Sequence, residues 1–166
     1  IVHQKQSDFS EALKNYSSAL NLSQEIGDKQ GQRMSFGNIA NTYNDQSNYS
    51  EALKNQLIAL KISEDLGDKF SISITNINIA DIYNNTANTI AKNSDSLSIS
   101  VEKYNQAIQY SNKGLMLAKE IEAKEWQRIA YVNLSDSYKG LGDYKKALEF
   151  FVSSRQLKDS MLNNET

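Results

Sequence analysis

The sequence predicts an all-α protein, an α-solenoid of about seven helices stacked as antiparallel pairs. Two observations carry that prediction. The first is an internal period. Asn38-Ile39-Ala40-Asn41-Thr42-Tyr43, Asn78-Ile79-Ala80-Asp81-Ile82-Tyr83 and Asn133-Leu134-Ser135-Asp136-Ser137-Tyr138 are three copies of one unit. Phe9 to Tyr49 and Tyr104 to Tyr144 are both steps of 40 residues. Self-similarity at a fixed period marks a stacked-repeat architecture, in which each unit buries its apolar face only against its neighbours. The second observation is the lack of breakers. Pro is absent and Gly numbers only 7 in 166 residues, which suits long helices.

Taken in order, residues 1–6 read as the last turn of a preceding helix, with His3 in register with Tyr43, Tyr83 and Tyr138. A helix is expected from Asp8 to Glu25, where Phe9, Ala12, Leu13, Tyr16, Ala19 and Leu20 fall at three- and four-residue steps. Asp8 with Glu11, and Asn48 with Glu51, have the spacing of capping boxes. Gly27-Asp28 and Gly67-Asp68 are stop-and-restart signals: Gly takes the left-handed conformation after one helix and Asp caps the next. Glu122-Ala123 stands at the third such place without a Gly, so a different turn is expected there. Further helices are expected at 29–45, 48–65, 69–85, 99–121, 124–140 and 143–162. The organisation is a single repeat domain over 1–166, divided into a partial repeat (1–26) and repeats at 29–66, 69–121 and 124–163.

One interval breaks the period, because Tyr49 to Tyr104 is 55 residues. The surplus lies at about 86–100, rich in Asn, Ser and Thr, a loop composition. Leu97, Ile99 and Val101 suit an extension of the helix that follows. The insertion reads either as a tolerated surface loop or as a lid or partner contact over one end of a groove. The aromatic set Phe9, Tyr49, Tyr104 and Tyr144 recurs at one register and is expected in the core. Trp126 does not recur and is expected to shield an edge of the last helix pair or to stand exposed.

Composition excludes several functions. Charged residues make up 23% and the formal net charge is -2, which leaves no basic footprint for nucleic acid. With no Cys and a single His, there is no thiolate nucleophile and no metal-ligand spacing. No Gly-rich phosphate loop occurs, and no apolar run approaches the ~18 residues of a membrane span. No cofactor and no catalytic residue is expected.

Tyr131-x2-Leu134-Ser135-x2-Tyr138 followed by Ala147-x3-Phe151 resembles the tetratricopeptide repeat, and Phe36-x2-Ile39-Ala40-x2-Tyr43 followed by Ala52-x3-Gln56 is a second match. Asn76-x2-Ile79-Ala80-x2-Tyr83 is a third, with Ala107 and Ser111 displaced by the insertion. The family's Trp is Phe36, Asn76 or Tyr131 here, its Pro near the repeat end is missing, and the 40-residue period exceeds the family's 34. The resemblance implies a right-handed solenoid that binds protein or peptide and does not catalyse. The Gly-Asp-Lys turns and the ending Leu157-Lys158-Asp159-Ser160-Met161-Leu162 resemble the sensor regions of bacterial histidine kinases and related regulators. That likeness implies a sensory module of a larger bacterial signalling protein; it leaves both a periplasmic and a cytoplasmic setting open and leans slightly to the periplasm. A free-standing scaffold for assembling other proteins is the alternative.

The candidate ligand site follows from the repeat. In the family, the position of Asn38, Asn78 and Asn133 looks into the concave groove. One turn on, along the same helix face, come Asn41, Asp81 and Asp136. Stacking would line these six residues into a polar ladder. Asn offers both a donor and an acceptor to the backbone of an extended segment, and two Asp residues suit a neutral or basic one. The competing reading is that each Asn bonds a neighbouring helix. Gly37, Ile77 and Val132 stand where a cationic clamp for a chain terminus would need Lys.

Overall fold

The computed structural model describes residues 2–92 and 97–163, with side chains from residue 8 onward. Among the described residues there are seven helices and no strand. They are α1 (Val2–Glu25), α2 (Lys29–Asp45), α3 (Tyr49–Leu66), α4 (Lys69–Ile90), α5 (Leu97–Glu120), α6 (Lys124–Gly140) and α7 (Tyr144–Asn163). They form two compact units, Ile1–Gly67 and Asp68–Thr166. In the first, α2 packs on α1 and on α3; in the second, each helix packs on the next, and α4 also touches α6. No described helix is long and apolar enough to cross a membrane.

The start of the chain departs from expectation. Residues 2–7 are not the end of a separate helix but the first turns of α1, which runs unbroken to Glu25. Asp8 and Glu11 therefore lie inside a helix and cap nothing. The position of the His3 side chain lies outside the described side chains.

The turns between repeats share one geometry. At the first, Gly27 has φ +72, its N–H donates to the Gln24 carbonyl, and the Asp28 N–H donates to that of Ser23 at 2.8 Å. At the third, Glu122 has φ +56, its N–H donates to Lys119 O, and Ala123 N–H donates to Ala118 O at 2.8 Å. The expected change of turn at residue 122 does not occur. Packing of α5 against α6 sets the path, and Glu122 takes a left-handed conformation that costs a side-chain-bearing residue roughly 1 kcal/mol. The cap is what changes. Asp28 and Asp68 accept from Gly31 N and Ser71 N, whereas Ala123 offers α6 no side-chain acceptor.

The insertion is mostly helix. α4 continues to Ile90 and α5 starts at Leu97; residues 93–96 lie outside the described set. The loop composition at 86–90 is overridden locally and by packing. Thr86 and Thr89 turn their hydroxyls back onto Ile82 O and Asn85 O, at 2.7 and 2.9 Å. Ala87 is fully buried, and Asn88 Oδ1 accepts from the Tyr104 hydroxyl at 2.7 Å.

Small residues let the helices approach. Ala40, Ala52, Ala80, Ala107, Ala118 and Ala130 are completely buried. In the second unit the core is Ile77, Leu115, Ala130 and Leu134, with Trp126, Tyr131, Tyr138 and Phe150 packed on it. Trp126 thus closes an edge of this cluster. Phe150 stacks on Tyr131 and Tyr138, with ring centroids 6.0 and 5.5 Å away. Phe151, which the repeat pattern singled out, is 52% exposed, because the inward face of α7 runs through Ala147, Phe150 and Ser154. The recurrent aromatics also divide. Tyr104 is buried, Phe9 and Tyr49 are half-buried, and Tyr144 is 70% exposed, not core.

Gly114 is where α5 comes closest to α4. A Cβ there would meet the Ile77 side chain and the Ser73 carbonyl oxygen. Ser73 Oγ spans the same contact, donating to Gly114 O at 2.8 Å. Gly114→Ala should therefore destabilise by ~1–3 kcal/mol through overpacking, despite the better helix propensity of Ala; a chemical melt of the variant beside the parent measures this. In the opposite sense, Glu122→Gly relieves the left-handed strain and Ala123→Asp supplies the missing cap. Each should stabilise by ~0.5–1 kcal/mol, raising the melting midpoint by ~1–4 °C at this chain length.

Candidate functional site

The six residues of the predicted ladder fall on three helices. Asn38 and Asn41 lie on α2 in the first unit, Asn78 and Asp81 on α4 and Asn133 and Asp136 on α6 in the second. Asn41 and Asp136 are exposed, Asn38, Asn78 and Asp81 half-buried, and Asn133 is only 4% exposed.

Asn133 is committed to the fold. Its amide Nδ2 donates to Ile77 O across the α4–α6 contact at 2.9 Å. Its own carbonyl accepts from Asn84 Nδ2 at 2.9 Å and from Ser137 Oγ at 2.8 Å. Ser137 Oγ also lies 2.7 Å from Asn84 Oδ1. Asn84, Asn133 and Ser137 are all buried, so the bonds run in low dielectric, where an unmet partner costs ~1–3 kcal/mol. Sequence reading did not single out Asn84 or Ser137. The available signal was a polar residue one place after Tyr83, on a helix otherwise crowded with Ile, and a Ser inside the repeated hexad.

The charge of Asp81 on α4 reaches Asp136 on α6. Asp81 Oδ2 accepts from Asn85 Nδ2 at 3.1 Å, one turn along α4. On α6, loss of hydration raises the Asp136 carboxyl above its ordinary value of 3.8; Lys139 opposes this, and the like charge of Asp81 adds to it. The residue as a whole remains exposed, so water tempers the shift. The buried Tyr104 phenol is raised as well, first by loss of hydration and then by the Asp136 charge. On α4, Asn78, Asp81 and Asn85 follow at three- and four-residue steps and share one half-buried helix face. Among the described residues no group of three potential metal ligands occurs, and none of these side chains forms a nucleophile–base pair.

Cationic side chains elsewhere in the unit lie over aromatic rings. Lys103 sits 5.6 Å from the Tyr83 ring centre, Lys113 5.1 Å from Tyr110, Lys119 5.5 Å from Tyr131 and Lys146 4.9 Å from Tyr138. Tyr83 and Tyr110 stack on one another at 5.6 Å. These contacts cover the half-exposed rings of the helix pairs.

Two predictions follow from this geometry. Asn84→Ala should destabilise by ~1–3 kcal/mol, because it strips Ser137 Oγ and the Asn133 carbonyl of a buried partner; thermal melting reads the loss. Asp136→Asn should be more stable than the parent at pH 7. A carboxyl that ionises less readily in the folded state than in the unfolded chain costs stability once charged. The cost grows as pH rises through the carboxylate range, and the two melting points should converge below about pH 3.

Comparison with known proteins agrees with the helical architecture. A family model described as tetratricopeptide repeat matches residues 1–65, and a second model of the same description matches residues 129–153. No curated protein matches the chain in sequence. Among solved structures, the tetratricopeptide-repeat domain of Arabidopsis FLU superposes with a TM-score of 0.66 at 20% identity, over 80% of this chain and 98% of that one. BtubC (BKLC) from P. vanneervenii aligns over 95% of this chain and 76% of its own, at 19% identity and a TM-score of 0.44. The chain carries tetratricopeptide-repeat matches over residues 1–65 and 129–153 and has a TPR-like helical-repeat fold.

Proposed function

We propose that the chain is a protein-binding repeat module that takes an extended segment bearing Lys or Arg, as the sensory or interaction region of a larger bacterial signalling protein. The observation that carries the ligand chemistry is the Asp81–Asp136 pair. Loss of hydration and the charge of Asp81 both disfavour the Asp136 carboxylate, Lys139 offsets this in part, and a ligand cation beside the two carboxylates would offset it further. Asn78, half-buried beside them in sequence and on the same helix as Asp81, offers a donor and an acceptor to the ligand backbone without adding charge. Asn133 contributes by holding α6 against α4 and not by contact. On α2 of the first unit, Asn38 and Asn41 repeat the motif without carboxylates and would suit a neutral ligand stretch of their own. The sensor role rests on the Gly-Asp-Lys turns and the ending at 157–162; a free-standing scaffold would use the same ladder.

A short extended peptide with one central Lys, titrated into the protein and compared with the same peptide carrying Glu, tests the ligand chemistry. The Lys peptide should bind more tightly. Asp81→Asn and Asp136→Asn should each weaken it by ~0.2–1 kcal/mol, the usual worth of an exposed ion pair. Binding should also decline with added salt and as pH falls below about 4. Equal binding of both peptides would end this reading. The full gene separates the two roles: a coiled coil leading to a kinase or DNA-binding output supports the sensor, and a stop codon near Thr166 the scaffold.

A further inference from the structure

A cleft of about 320 Å³ lies between α6 and α7, lined by Gln127 and Tyr131 on one side and by Ser153, Gln156, Leu157 and Ser160 on the other. Ser153 and Ser160 turn their hydroxyls back onto Glu149 O and Leu157 O, both at 3.0 Å, and Gln127 Nε2 donates to Ala118 O at 3.0 Å. Among the described residues the Tyr131 hydroxyl and the Gln156 amide have no hydrogen-bond partner, so both line the cleft as uncommitted donors. Lys119 lies over the Tyr131 ring, 5.5 Å from its centre, and no lining residue is acidic. The preceding helix pair closes the same place with an ion pair. Tyr83 stacks on Tyr110 between α4 and α5 as Tyr138 stacks on Phe150 between α6 and α7, which sets the register. In that register Lys69 and Glu120 correspond to Lys124 and Ser160. Lys69 Nζ meets Glu120 Oε1 at 2.5 Å and ties α4 to α5. Ser160 brings no carboxylate to Lys124, and among the described residues neither Lys124 nor Lys119 has an acidic partner. A further helix after α7 does not belong in this cleft. α6 follows α5 and packs on it, yet Lys113, Met116 and Glu120, the counterparts of Ser153, Gln156 and Ser160, stay exposed.

We propose that the α6–α7 cleft binds a small organic carboxylate, whose charged group takes the place beside Lys124 that Glu120 takes beside Lys69. The ligand carboxylate accepts from the Lys124 ammonium, and hydrogen bonds to an ionised acceptor are the stronger kind. The Gln156 amide and the Tyr131 hydroxyl donate to its remaining oxygens, and Lys119 adds a second positive charge to the field. Leu157 and the Tyr131 ring take up the carbon chain. The volume stands at the lower end of small-molecule sites, which suits a short-chain acid. The cleft shares no residue with the acidic face of Asp81 and Asp136, and its occupancy does not depend on what that face binds.

The probe is glutarate, titrated into the isotope-labelled whole chain at low ionic strength, with backbone amide shifts followed by nuclear magnetic resonance. Saturable shifts confined to residues 124–131 and 153–160 are expected, with a dissociation constant in the millimolar range. Glutaramide, which has the same shape without charge, should give no saturable shift. Lys119 and Lys124 are exposed, so Lys119→Gln and Lys124→Gln should melt close to the parent, and each should weaken glutarate by about two- to fivefold, the worth of an exposed ion pair. Ser160→Glu is the sharper variant. It rebuilds the pair that Lys69 makes with Glu120, so glutarate should no longer bind while the protein melts no lower than the parent. No saturable shift with glutarate, equal shifts with glutaramide, or glutarate binding that survives Ser160→Glu overturns the proposal. So does an acetylated Glu tripeptide amide that binds more tightly than glutarate, since an acidic protein segment would then be the occupant.

Discussion

The close approach of α4 to α5 and α6 around Ile77 is the constraint on which the second unit depends. Apolar burial alone does not fix one helix against two others; interiors are packed to crystal density, and the distance is set by whatever lies between the backbones. Here that is almost nothing. Gly114 presents no Cβ, Ala118 and Ala130 present one each, and the gap is bridged by Ser73 to Gly114 O and by Asn133 to Ile77 O. These two bonds tie polar side chains to backbone carbonyls. They therefore hold regardless of which side chains decorate the helices, and they fix rotation as well as distance. The polar face that carries Asp81 and Asp136 inherits its geometry from that fixation.

The same contact separates structural from available polarity. Asn78 and Asn133 occupy one register in the repeat, yet the second is spent on the fold while the first is half-buried. The carboxylates behave differently. A carboxylate has no donor to offer a backbone carbonyl, so neither Asp81 nor Asp136 can make the bond that Asn133 makes; Asp81 accepts from Asn85, and Asp136 lies within the field of Lys139. Charge, more than amide content, distinguishes this face from the equivalent one on α2, where Asn41 replaces Asp.

Helices were legible because their signals are local and redundant. Apolar spacing, the absence of Pro, and the Asp caps at 28 and 68 all point the same way, and apart from the start of α1 and the end of α4 the observed ends fall within two residues of those expected. Three features were not legible, each for a physical reason. Thr86 and Thr89 can bond to the backbone of a helix as readily as to that of a loop, so composition could not reveal five more residues of α4. Glu122 sits in a left-handed conformation that its side chain disfavours, and packing of α5 against α6 overrides the local preference. Asn84 recurs as Asn44 but not in the last copy, where Lys139 stands at its register, and only the packed structure shows that it joins Ser137 and Asn133. For the candidate site the repeat supplies six positions, and only the packed structure shows that Asn133 bonds Ile77 O while Asn38, Asn78 and Asp81 stay half-buried.

The state of the Asn133 side chain is the most direct measure of this account. Exchange of its amide protons, followed by nuclear magnetic resonance in the native protein, reports whether the group is locked onto Ile77 or free at a surface. The account predicts protection comparable to that of the backbone amides of α4, and a through-bond coupling from Asn133 Nδ2 to the Ile77 carbonyl carbon. Exchange at the rate of a solvent-exposed amide, with no such coupling, would contradict it and return Asn133 to the ligand-binding face.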